Sequence, residues 1–298
     1  MSETRPVPKE AVLIVNTRSR RGERLFRDAA AKLEAAGVRL LAKHSIKKPG
    51  DDLIPTMKAA VRGGAPMVIV GGGDGSLSCT VDEVVERDCV FALLPLGTAN
   101  SFARTLGIPL DLDGAIRTIA TGKRRRVDVG AIDRDYFANA SSIGLSPMIG
   151  QTIPHNLKRY LGRPGYLMWS LWCLARFRSF ELTVEGPDGA ETLRALEVRI
   201  ANGPYHGGIE VVDGARVDSG VIVVEAVSGH ARTTLAGNWL RLLLRLPRKE
   251  RQVRQFRGRS LKLTTKPPLP ISIDGEVLAT TPVTASVAER AIEVVVPA

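Results

Sequence analysis

The residue pattern with the clearest chemical meaning is a run of glycines interrupted by one aspartate, Gly71-Gly72-Gly73-Asp74-Gly75-Ser76. It directly follows residues 67–70, an apolar segment typical of a buried strand. Glycines there let backbone N–H groups approach an anion, and a helix starting near Ser76 would point its positive end at the same place. The loop therefore predicts a binding site for a phosphate group.

The aspartate narrows the choice among phosphate-binding loops. No Gly-Lys-Ser/Thr sequence follows, so the loop is not a Walker A motif, and Ser76 stands where a dinucleotide fingerprint has its third glycine. A carboxylate repels a phosphate unless a cation bridges them, so Asp74 predicts Mg²⁺ or a role in proton transfer. The alternative is a strand-to-helix turn whose aspartate only caps the helix.

Two further polar loops, residues 16–22 and 95–104, also follow apolar segments. The first carries hydroxyls and guanidinium groups. In the second, Thr98 and Asn100 could bind phosphate or metal-bound water, and Arg104 could neutralise phosphate. The carboxyl ends of parallel strands meet at one edge of a sheet, so the three loops predict a shared ligand site. The alternative, in which they are ordinary surface loops, stays open.

These loops must be positioned by alternating strands and helices. Strands are predicted at residues 11–15, 38–42, 67–70 and 90–94, with amphipathic helices between them. The helix after the glycine loop is predicted to run from near Ser76 through Val85. This alternation favours a parallel sheet covered by helices on both faces.

After about residue 127 the pattern changes to short β-rich runs separated by turn signals. The predicted fold class is an α/β N-terminal domain with a parallel sheet plus a mainly antiparallel β-sandwich second domain. We predict domains at residues 1–127 and 128–290, and leave open whether the strand near 291–298 returns to the first domain. Asp274-Gly275 lies in the second part, and from the residues alone a hairpin turn is its simpler interpretation.

Composition limits the functional classes. The chain has 298 residues, a net charge of +11 and three cysteines without metal-binding spacing, which favours a cytoplasmic protein. The most apolar stretch, residues 166–177, is too short to span a bilayer. Together with a cationic amphipathic helix predicted near residues 231–246, it could meet lipid, or both segments could pack internally. Nucleic acid is not an expected partner, because no RNA-binding motif is present.

Residues 72–77 followed by residues 95–104 resemble the catalytic domain of the diacylglycerol kinase family, most closely the small bacterial lipid kinases, which sphingosine and ceramide kinases also resemble. The resemblance covers nearly the whole chain. Its further, individually weak matches fall in the family's order at residues 127–130, 139–144, 202–208, 213–220 and 273–276.

The resemblance implies a two-domain kinase, like NAD kinases and diacylglycerol kinases in fold, that uses ATP and Mg²⁺ in a cleft between the domains. The implied nucleotide contacts are Asn16, Thr17, Arg18, Ser19, Arg20, Ser45, Gly72, Gly73, Asp74, Gly75, Ser76, Leu77, Thr98, Asn100, Arg104 and Asp128. The implied catalytic residues are Asp74, Asp274 and Glu276, one of the last two acting as general base. The implied metal ligands are Asp74 and Asp218.

The chain departs from the family pattern in three places. Thr17 and Arg20 stand where the first loop usually has proline and glycine, and Ser101 stands where the bacterial enzymes often have aspartate. In the family's structural magnesium loop, Ser219 replaces an aspartate and Asp218 lies one place earlier.

The predicted function is ATP-dependent phosphorylation of a lipid hydroxyl, most simply of a diacylglycerol-like lipid, at the inner face of the membrane. A homodimer is left open. Two alternatives are also left open: a kinase for a soluble substrate, of the NAD kinase type, and a catalytically weak relative that binds lipid or nucleic acid.

Overall fold

The computed structural model describes residues 6–19, 21–154, 165, 168–187, 189–228, 237, 253–273 and 276–298, without the side chains of Ser146, Gln151 and Glu276. Arg20, Asp274 and all but one residue of the helix predicted near 231–246 lie outside this set. Every structural statement that follows concerns the described residues.

The first part of the chain alternates strands and helices, as predicted. Its elements are β1 (Glu10–Asn16), α1 (Gly22–Ala35), β2 (Arg39–Ile46), α2 (Pro49–Arg62), β3 (Met67–Gly72), α3 (Asp74–Val81), β4 (Val90–Pro95), α4 (Ser101–Thr105) and α5 (Leu112–Thr121). The strands lie in the order β4-β3-β1-β2 and are all parallel. β1, β3 and β4 are buried almost throughout, which accounts for their continuous apolar sequences.

The predicted helix from near Ser76 through Val85 is wrong at both ends, because α3 covers Asp74–Val81. After Val81 the backbone N–H of Val84 bonds to the carbonyl three residues earlier, so the chain tightens into turns instead of continuing the helix. The earlier start matters for chemistry, since it puts Asp74 in the first turn, at the positive end of the helix.

The direction of the chain through the sheet reverses at β1. The β1–β2 connection moves to one side, whereas the β2–β3 connection crosses back over β1 to the other side. Because such crossovers are right-handed, α1 and α2 lie on opposite faces; accordingly, α1 packs with α5 and α2 packs with α3. The gap between the ends of β1 and β3 is therefore a topological switch point, where sheets of this kind bind ligands.

The second part is β-rich and mainly antiparallel, so the predicted fold class is confirmed. Its elements are β5 (Lys123–Ile132), β6 (Asp135–Phe137), β7 (Ala140–Gly144), α6 (Leu145–Thr152), β8 (Phe180–Gly186), β9 (Gly189–Ala201), β10 (Tyr205–His206), β11 (Ile209–Glu210), β12 (Ile222–Ser228), β13 (Val253–Gly258), β14 (Ser260–Lys266), β15 (Pro270–Ile273), β16 (Glu276–Thr280) and β17 (Val283–Val296). A separate hydrophobic core fills this part.

The long strand β17 joins the two parts. Its C-terminal half pairs in parallel with β4, and along its length it pairs antiparallel with β5 and β14. An irregularity between Ala288 and Ile292 separates the two halves, and Arg290 there has a φ of 51°. The last strand thus returns to the first sheet, while the domain limits at 127 and 290 stay a prediction.

Most of the apolar stretch at residues 166–177 is described. Residues 168–176 are helical; Cys173 is buried, whereas Met168, Leu171 and Trp172 are exposed. Trp172 stacks on Trp169 with ring centroids 4.4 Å apart. The helix therefore has one face in the core and one apolar face in solvent. Within the described ranges, no helix has both the length and the apolar character needed to cross a membrane.

Candidate active site

The glycine loop places Asp74 beside the loop that follows β4. β3 continues through Gly72, and Gly73 is the extended residue that precedes α3. Asp74 does not cap its own helix; instead its Oδ1 accepts a hydrogen bond of 2.5 Å from the backbone N–H of Ser101. This geometry excludes the alternative in which Asp74 is only a helix cap.

The loop after β4 touches the glycine loop through backbone atoms. A Cβ on Gly97 would lie 2.4 Å from Cα of Gly73, so no larger residue fits without moving one of the loops. Asn100 folds the second loop, because its Oδ1 accepts from Gly97 N–H at 3.0 Å and its Nδ2 donates to the Gly97 carbonyl at 2.9 Å. Asn100 thus has a structural role independent of any contact with a nucleotide.

The loop after β1 is tied to both of its neighbours. The Nδ2 of Asn16 donates to Oγ of Ser76 at 2.8 Å, which links this loop to α3. Thr17 donates its backbone N–H to the Ile46 carbonyl at 2.8 Å, extending the contact between β1 and β2. A proline at this position has no N–H to donate, so the departure from the family pattern at Thr17 has a physical consequence here.

Ser45 belongs to a small polar cluster at the end of β2. Its hydroxyl lies 2.9 Å from Oγ1 of Thr17 and donates to Oε1 of Glu23 at 2.8 Å. The Ser45 hydrogen bond is the main reason why the pKa of Glu23 is lowered, with Lys47 adding to it. A direct contact between Ser45 and a nucleotide stays a prediction.

An open cleft of about 340 Å³, here called the switch-point cleft, lies where β1 and β3 diverge. Its walls are formed by Asn16, Arg18, Ser19, Gly22, Leu25, Gly72, Gly73 and Leu96. Backbone N–H groups of the glycine loop and the exposed Arg18 suit phosphate, and Leu25 and Leu96 offer apolar contact. Five of the predicted nucleotide residues line this cleft, namely Asn16, Arg18, Ser19, Gly72 and Gly73, and the hydroxyl of Ser76 accepts a hydrogen bond from Asn16.

The donor groups fit one way of binding Mg²⁺ better than another. Within the described ranges no group of three or more His, Cys, Asp or Glu side chains converges on one point, so a cage made only of protein ligands is not present there. Mg²⁺ in kinases is commonly held by one or two carboxylates together with substrate phosphates and water. Asp74, next to the switch-point cleft, fits that arrangement.

A second, smaller cavity of about 160 Å³ lies beside Asp74 and is called the Asp74–His206 pocket. It is lined by Asp74, Ser101, Asn139, Ala140, Tyr205, His206 and Gly207. Gly73 lines the switch-point cleft and Asp74 lines this pocket, so adjacent residues of the glycine loop border the two cavities. The pocket combines residues from both parts of the chain.

The segment carrying His206 is docked onto α4. Gly208 donates its backbone N–H to Oγ of Ser101 at 3.0 Å, and Gly207 and Gly208 have φ values of 60° and 82° that favour glycine. The side chain of Asn139 donates to the Tyr205 carbonyl and accepts from Thr105. Ser101, which replaces an expected aspartate, therefore connects the two parts of the molecule.

His206 is a site residue that sequence reasoning missed, since only its position within residues 202–208 pointed to it. Burial, followed by the charge of Arg199, lowers its pKa to about 4, while the Asp74 carboxylate acts in the opposite direction. The imidazole is therefore neutral near pH 7. A neutral imidazole can both donate and accept a hydrogen bond.

Beneath this segment lies a buried cluster of charges. Arg199 on β9 bonds to Glu225 on β12 and to Glu197, each at 3.0 Å, and the three side chains are at most 2% exposed. Gln255 donates to the second oxygen of Glu225 at 3.1 Å. Burying such a cluster is costly unless its charges are paired, as they are here.

Several predicted contacts have other partners in the structure. The Asp128 carboxylate is buried and accepts backbone N–H groups of Arg290 and Gly220, each at 2.8 Å. Arg104 donates to the Ala99 carbonyl at 2.9 Å. No described contact joins Arg104 to Asp128. Leu77 is in the core, and its backbone N–H donates to the Gly73 carbonyl at 3.2 Å.

Asp218 is held by arginines. Its Oδ1 accepts from Arg216 Nε at 3.0 Å, and its Oδ2 accepts from Arg125. Arg216 first, and then Arg125, hold the pKa of Asp218 below its ordinary value. Because two guanidinium groups already neutralise this carboxylate, the contacts do not fit a Mg²⁺ ion at Asp218.

The predicted turn Asp274-Gly275-Glu276 is flanked by described strands. β15 ends at Ile273, which pairs with Ser141, the neighbour of Ala140 in the wall of the Asp74–His206 pocket. β16 begins at Glu276. Asp274 and the Glu276 side chain lie outside the described set, so their catalytic role stays a prediction.

Comparison with known families gives two matches along the chain. Residues 10–132 match the family model described as diacylglycerol kinase catalytic domain. Residues 140–296 match the model described as YegS C-terminal NAD kinase beta sandwich-like domain. The two matches cover the α/β part and the antiparallel part respectively.

Curated relatives give the same result. A probable lipid kinase YegS-like from Chromohalobacter salexigens is 29% identical over 259 residues, covering 84% of this chain and 81% of the relative. A second YegS-like protein, from Enterobacter sp. strain 638, is 32% identical over 204 residues, or 67% of each chain. A diacylglycerol kinase from Staphylococcus epidermidis is 28% identical over 303 residues, covering 97% of this chain and 92% of the relative.

The fold is shared with a solved structure of a diacylglycerol kinase from Bacillus anthracis strain Sterne, with a TM-score of 0.75 and 20% identity over 97% of both chains. At that identity the likeness concerns the fold alone. The family assignment comes from the two family models and the curated relatives. The chain belongs to the diacylglycerol kinase catalytic-domain family, among its bacterial lipid kinases.

Proposed function

We propose that this protein transfers the γ-phosphoryl group of ATP to the hydroxyl of a lipid, most simply a diacylglycerol-like lipid. The observation that carries the proposal is that adjacent residues of the glycine loop line two cavities, Gly73 the switch-point cleft and Asp74 the Asp74–His206 pocket. A phosphoryl transfer needs a donor and an acceptor on either side of a site where charge is neutralised.

On the donor side, the glycine loop, Asn16, Arg18 and Ser19 are the proposed phosphate contacts. Their N–H groups and the guanidinium would offset the phosphate charge. ATP would bring the transferable group together with Mg²⁺, and Asp74 would hold that ion. The hydrogen bond from Ser101 fixes Asp74 in place before any ligand arrives.

On the acceptor side, Asp274 or Glu276 is the proposed general base. A carboxylate near the attacking hydroxyl can take its proton as the new O–P bond forms. Supporting this role, the β15 ladder ends beside Ala140, which lines the Asp74–His206 pocket.

The lipid would approach from a membrane surface. The exposed apolar face of the helical residues 168–176 includes Met168, Leu171 and Trp172, and the Arg176 guanidinium lies 4.3 Å from the Trp172 ring centre. Aromatic and apolar groups beside arginine suit the headgroup region of a bilayer. We propose attachment to the cytoplasmic face of the membrane by this helix.

The test is incubation with labelled ATP and vesicles that contain diacylglycerol, other lipid alcohols or none, with NAD as a soluble acceptor in a parallel reaction. We expect label in a lipid product that depends on Mg²⁺ and disappears in Asp74→Asn. Labelled NADP without labelled lipid would favour a soluble-substrate kinase. No labelled product from any acceptor would count against kinase activity.

A further inference from the structure

His206 lines the same pocket as Asp74, but the proposed function gives its side chain no role. In the described part of the chain, no side chain or backbone group hydrogen-bonds the imidazole, although Asp74 and Arg199 act on it electrostatically. A polar ring in a ligand-sized pocket, without a protein partner there, is available to a ligand.

We propose that His206 is a specificity-determining residue of the acceptor site, and that its imidazole hydrogen-bonds an uncharged polar headgroup held in the Asp74–His206 pocket. The proposal rests on the proposed function, because the pocket holds an acceptor only if the protein transfers a phosphoryl group. It names the residue that would recognise the headgroup, and it states that this headgroup carries no charge.

The size of the pocket favours a headgroup over an acyl chain. A volume of about 160 Å³ corresponds to roughly five water molecules. That space suits a group of a few heavy atoms such as a glycerol unit. A long acyl chain would have to extend outside it. His206 would thus contact the polar end of a lipid, near the hydroxyl that is phosphorylated.

The charge of the pocket favours an uncharged headgroup. Its lining contains the Asp74 carboxylate and no lysine or arginine among the residues described there. The nearby Arg199 is already paired with Glu197 and Glu225. A headgroup carrying its own phosphate would meet no lysine or arginine in this lining, and any Mg²⁺ held by Asp74 would already be shared with the phosphates of ATP, which disfavours its binding.

The backbone that carries the ring is anchored on both sides of His206. Asn139 binds the Tyr205 carbonyl, and Ser101 accepts the N–H of Gly208. The segment is therefore anchored one residue before His206 and two residues after it. A side chain on an anchored backbone can bind a ligand without the free-energy cost of ordering a mobile loop.

The experiment compares His206→Leu, His206→Gln and wild type with a short-chain diacylglycerol as acceptor. Initial rates are measured against acceptor at saturating ATP, and against ATP at saturating acceptor. We expect Leu to raise the acceptor KM about 3- to 10-fold, the effect of one neutral hydrogen bond, and to leave the ATP KM unchanged. Gln, which keeps a donor and an acceptor, should recover part of the loss.

The matched control is His44→Gln, since His44 is the other described histidine and lies on β2 outside both cavities. We expect wild-type values for both substrates. An unchanged acceptor KM in His206→Leu, or equal changes in both KM values, would overturn the proposal. Thermal unfolding of each variant shows whether it is folded.

A second experiment measures headgroup binding to the wild-type protein directly. Wild-type protein labelled with ¹⁵N-histidine is titrated with the same diacylglycerol, and the His206 resonances are assigned from the spectrum of His206→Gln. We expect the ring nitrogens of His206 to shift and those of His44 to stay unchanged. A titration that leaves His206 unchanged overturns the proposal.

The outcomes separate the two proposals. A wild-type protein that phosphorylates diacylglycerol while His206→Leu behaves identically refutes the role of His206 and leaves the kinase intact. A wild-type protein without any lipid product refutes the proposed function. In that case a shift of the His206 ring would still identify the pocket as a binding site for the headgroup.

Discussion

The two cavities beside Asp74 are built in different ways. The switch-point cleft is formed by loops that directly follow parallel strands, and backbone atoms and glycines make its closest contacts. The Asp74–His206 pocket combines α4, the start of β7 and the segment around β10, which side chains hold together. The switch-point cleft therefore depends on the local path of the backbone, whereas the Asp74–His206 pocket depends on segments that are far apart in the sequence.

This difference indicates how such an enzyme could change its acceptor without changing its donor. In the proposed function the glycine loop binds phosphate through backbone N–H groups and Arg18 adds a guanidinium, so the donor side depends mainly on the path of the backbone. A headgroup is recognised by side chains, so the acceptor side can change one residue at a time. Variants that act on only one cavity can test this division.

The largest effect is expected beneath the Asp74–His206 pocket. Arg199→Met removes the partner of two buried glutamates, and uncompensated buried charge should lower the free energy of unfolding by about 3–5 kcal/mol. Urea denaturation followed by circular dichroism measures it. The control Arg254→Met breaks an exposed pair with Glu191 and should cost about 1 kcal/mol or less. Equal losses would contradict this interpretation of the buried cluster.

The second-largest effect is expected at Asp74, which lines the Asp74–His206 pocket. Asp74→Asn keeps an oxygen for the N–H of Ser101 but removes the charge, so kcat should fall roughly 100- to 1000-fold with little change in unfolding. Asp218→Asn, where arginines occupy the carboxylate, should stay within about threefold of wild type, because a surface ion pair contributes little. A comparable loss in both variants would restore a metal role for Asp218.

A smaller effect should be confined to the switch-point cleft. Gly97→Ala introduces a Cβ at 2.4 Å from Gly73, so the two loops must separate, at a cost of about 1–3 kcal/mol. We expect a raised KM for ATP and an unchanged KM for the lipid. Gly50→Ala, in open space on α2, should be neutral or slightly stabilising. If Gly97→Ala instead raised the lipid KM, the two sides would not be independent.

The smallest effect separates backbone from side chain at one residue of the first loop. Thr17→Pro removes both the N–H bond to Ile46 and the hydroxyl contact with Ser45, whereas Thr17→Val removes only the latter. Each hydrogen bond should contribute about 1 kcal/mol to stability, so proline should cost roughly twice as much as valine. Thermal unfolding of the two variants provides the comparison, and equal costs would mean that the backbone bond contributes little.

The sequence predicted that the loops around the switch-point cleft lie at one edge of the sheet, because the signals for this arrangement lie within short segments of the sequence. Apolar strands end in glycines or in asparagine, and parallel strands bring such ends together at one edge. What the sequence could not predict is that Asp74 binds the N–H of Ser101 rather than its own helix. That contact depends on how far β3 and β4 extend before each loop begins.

The Asp74–His206 pocket was largely beyond sequence reasoning. Asn139 and His206 are separated by more than sixty positions, and their meeting depends on the pairing of β7 with β9. The cluster of Glu197, Arg199 and Glu225 was also unforeseen, because charged residues at alternate strand positions usually indicate a solvent-facing side. Here residues 202–221 cover that face, and such coverage has no periodic signal in the sequence.

The shared strand β17 has a consequence for the order in which the protein can be made. β4 emerges from the ribosome long before residues 283–296, yet β17 is its parallel partner. Until then the edge of the first sheet presents unpaired N–H and carbonyl groups, which other strands could join. We therefore expect nascent chains that lack residues 283–296 to depend on chaperones until β17 can pair with β4.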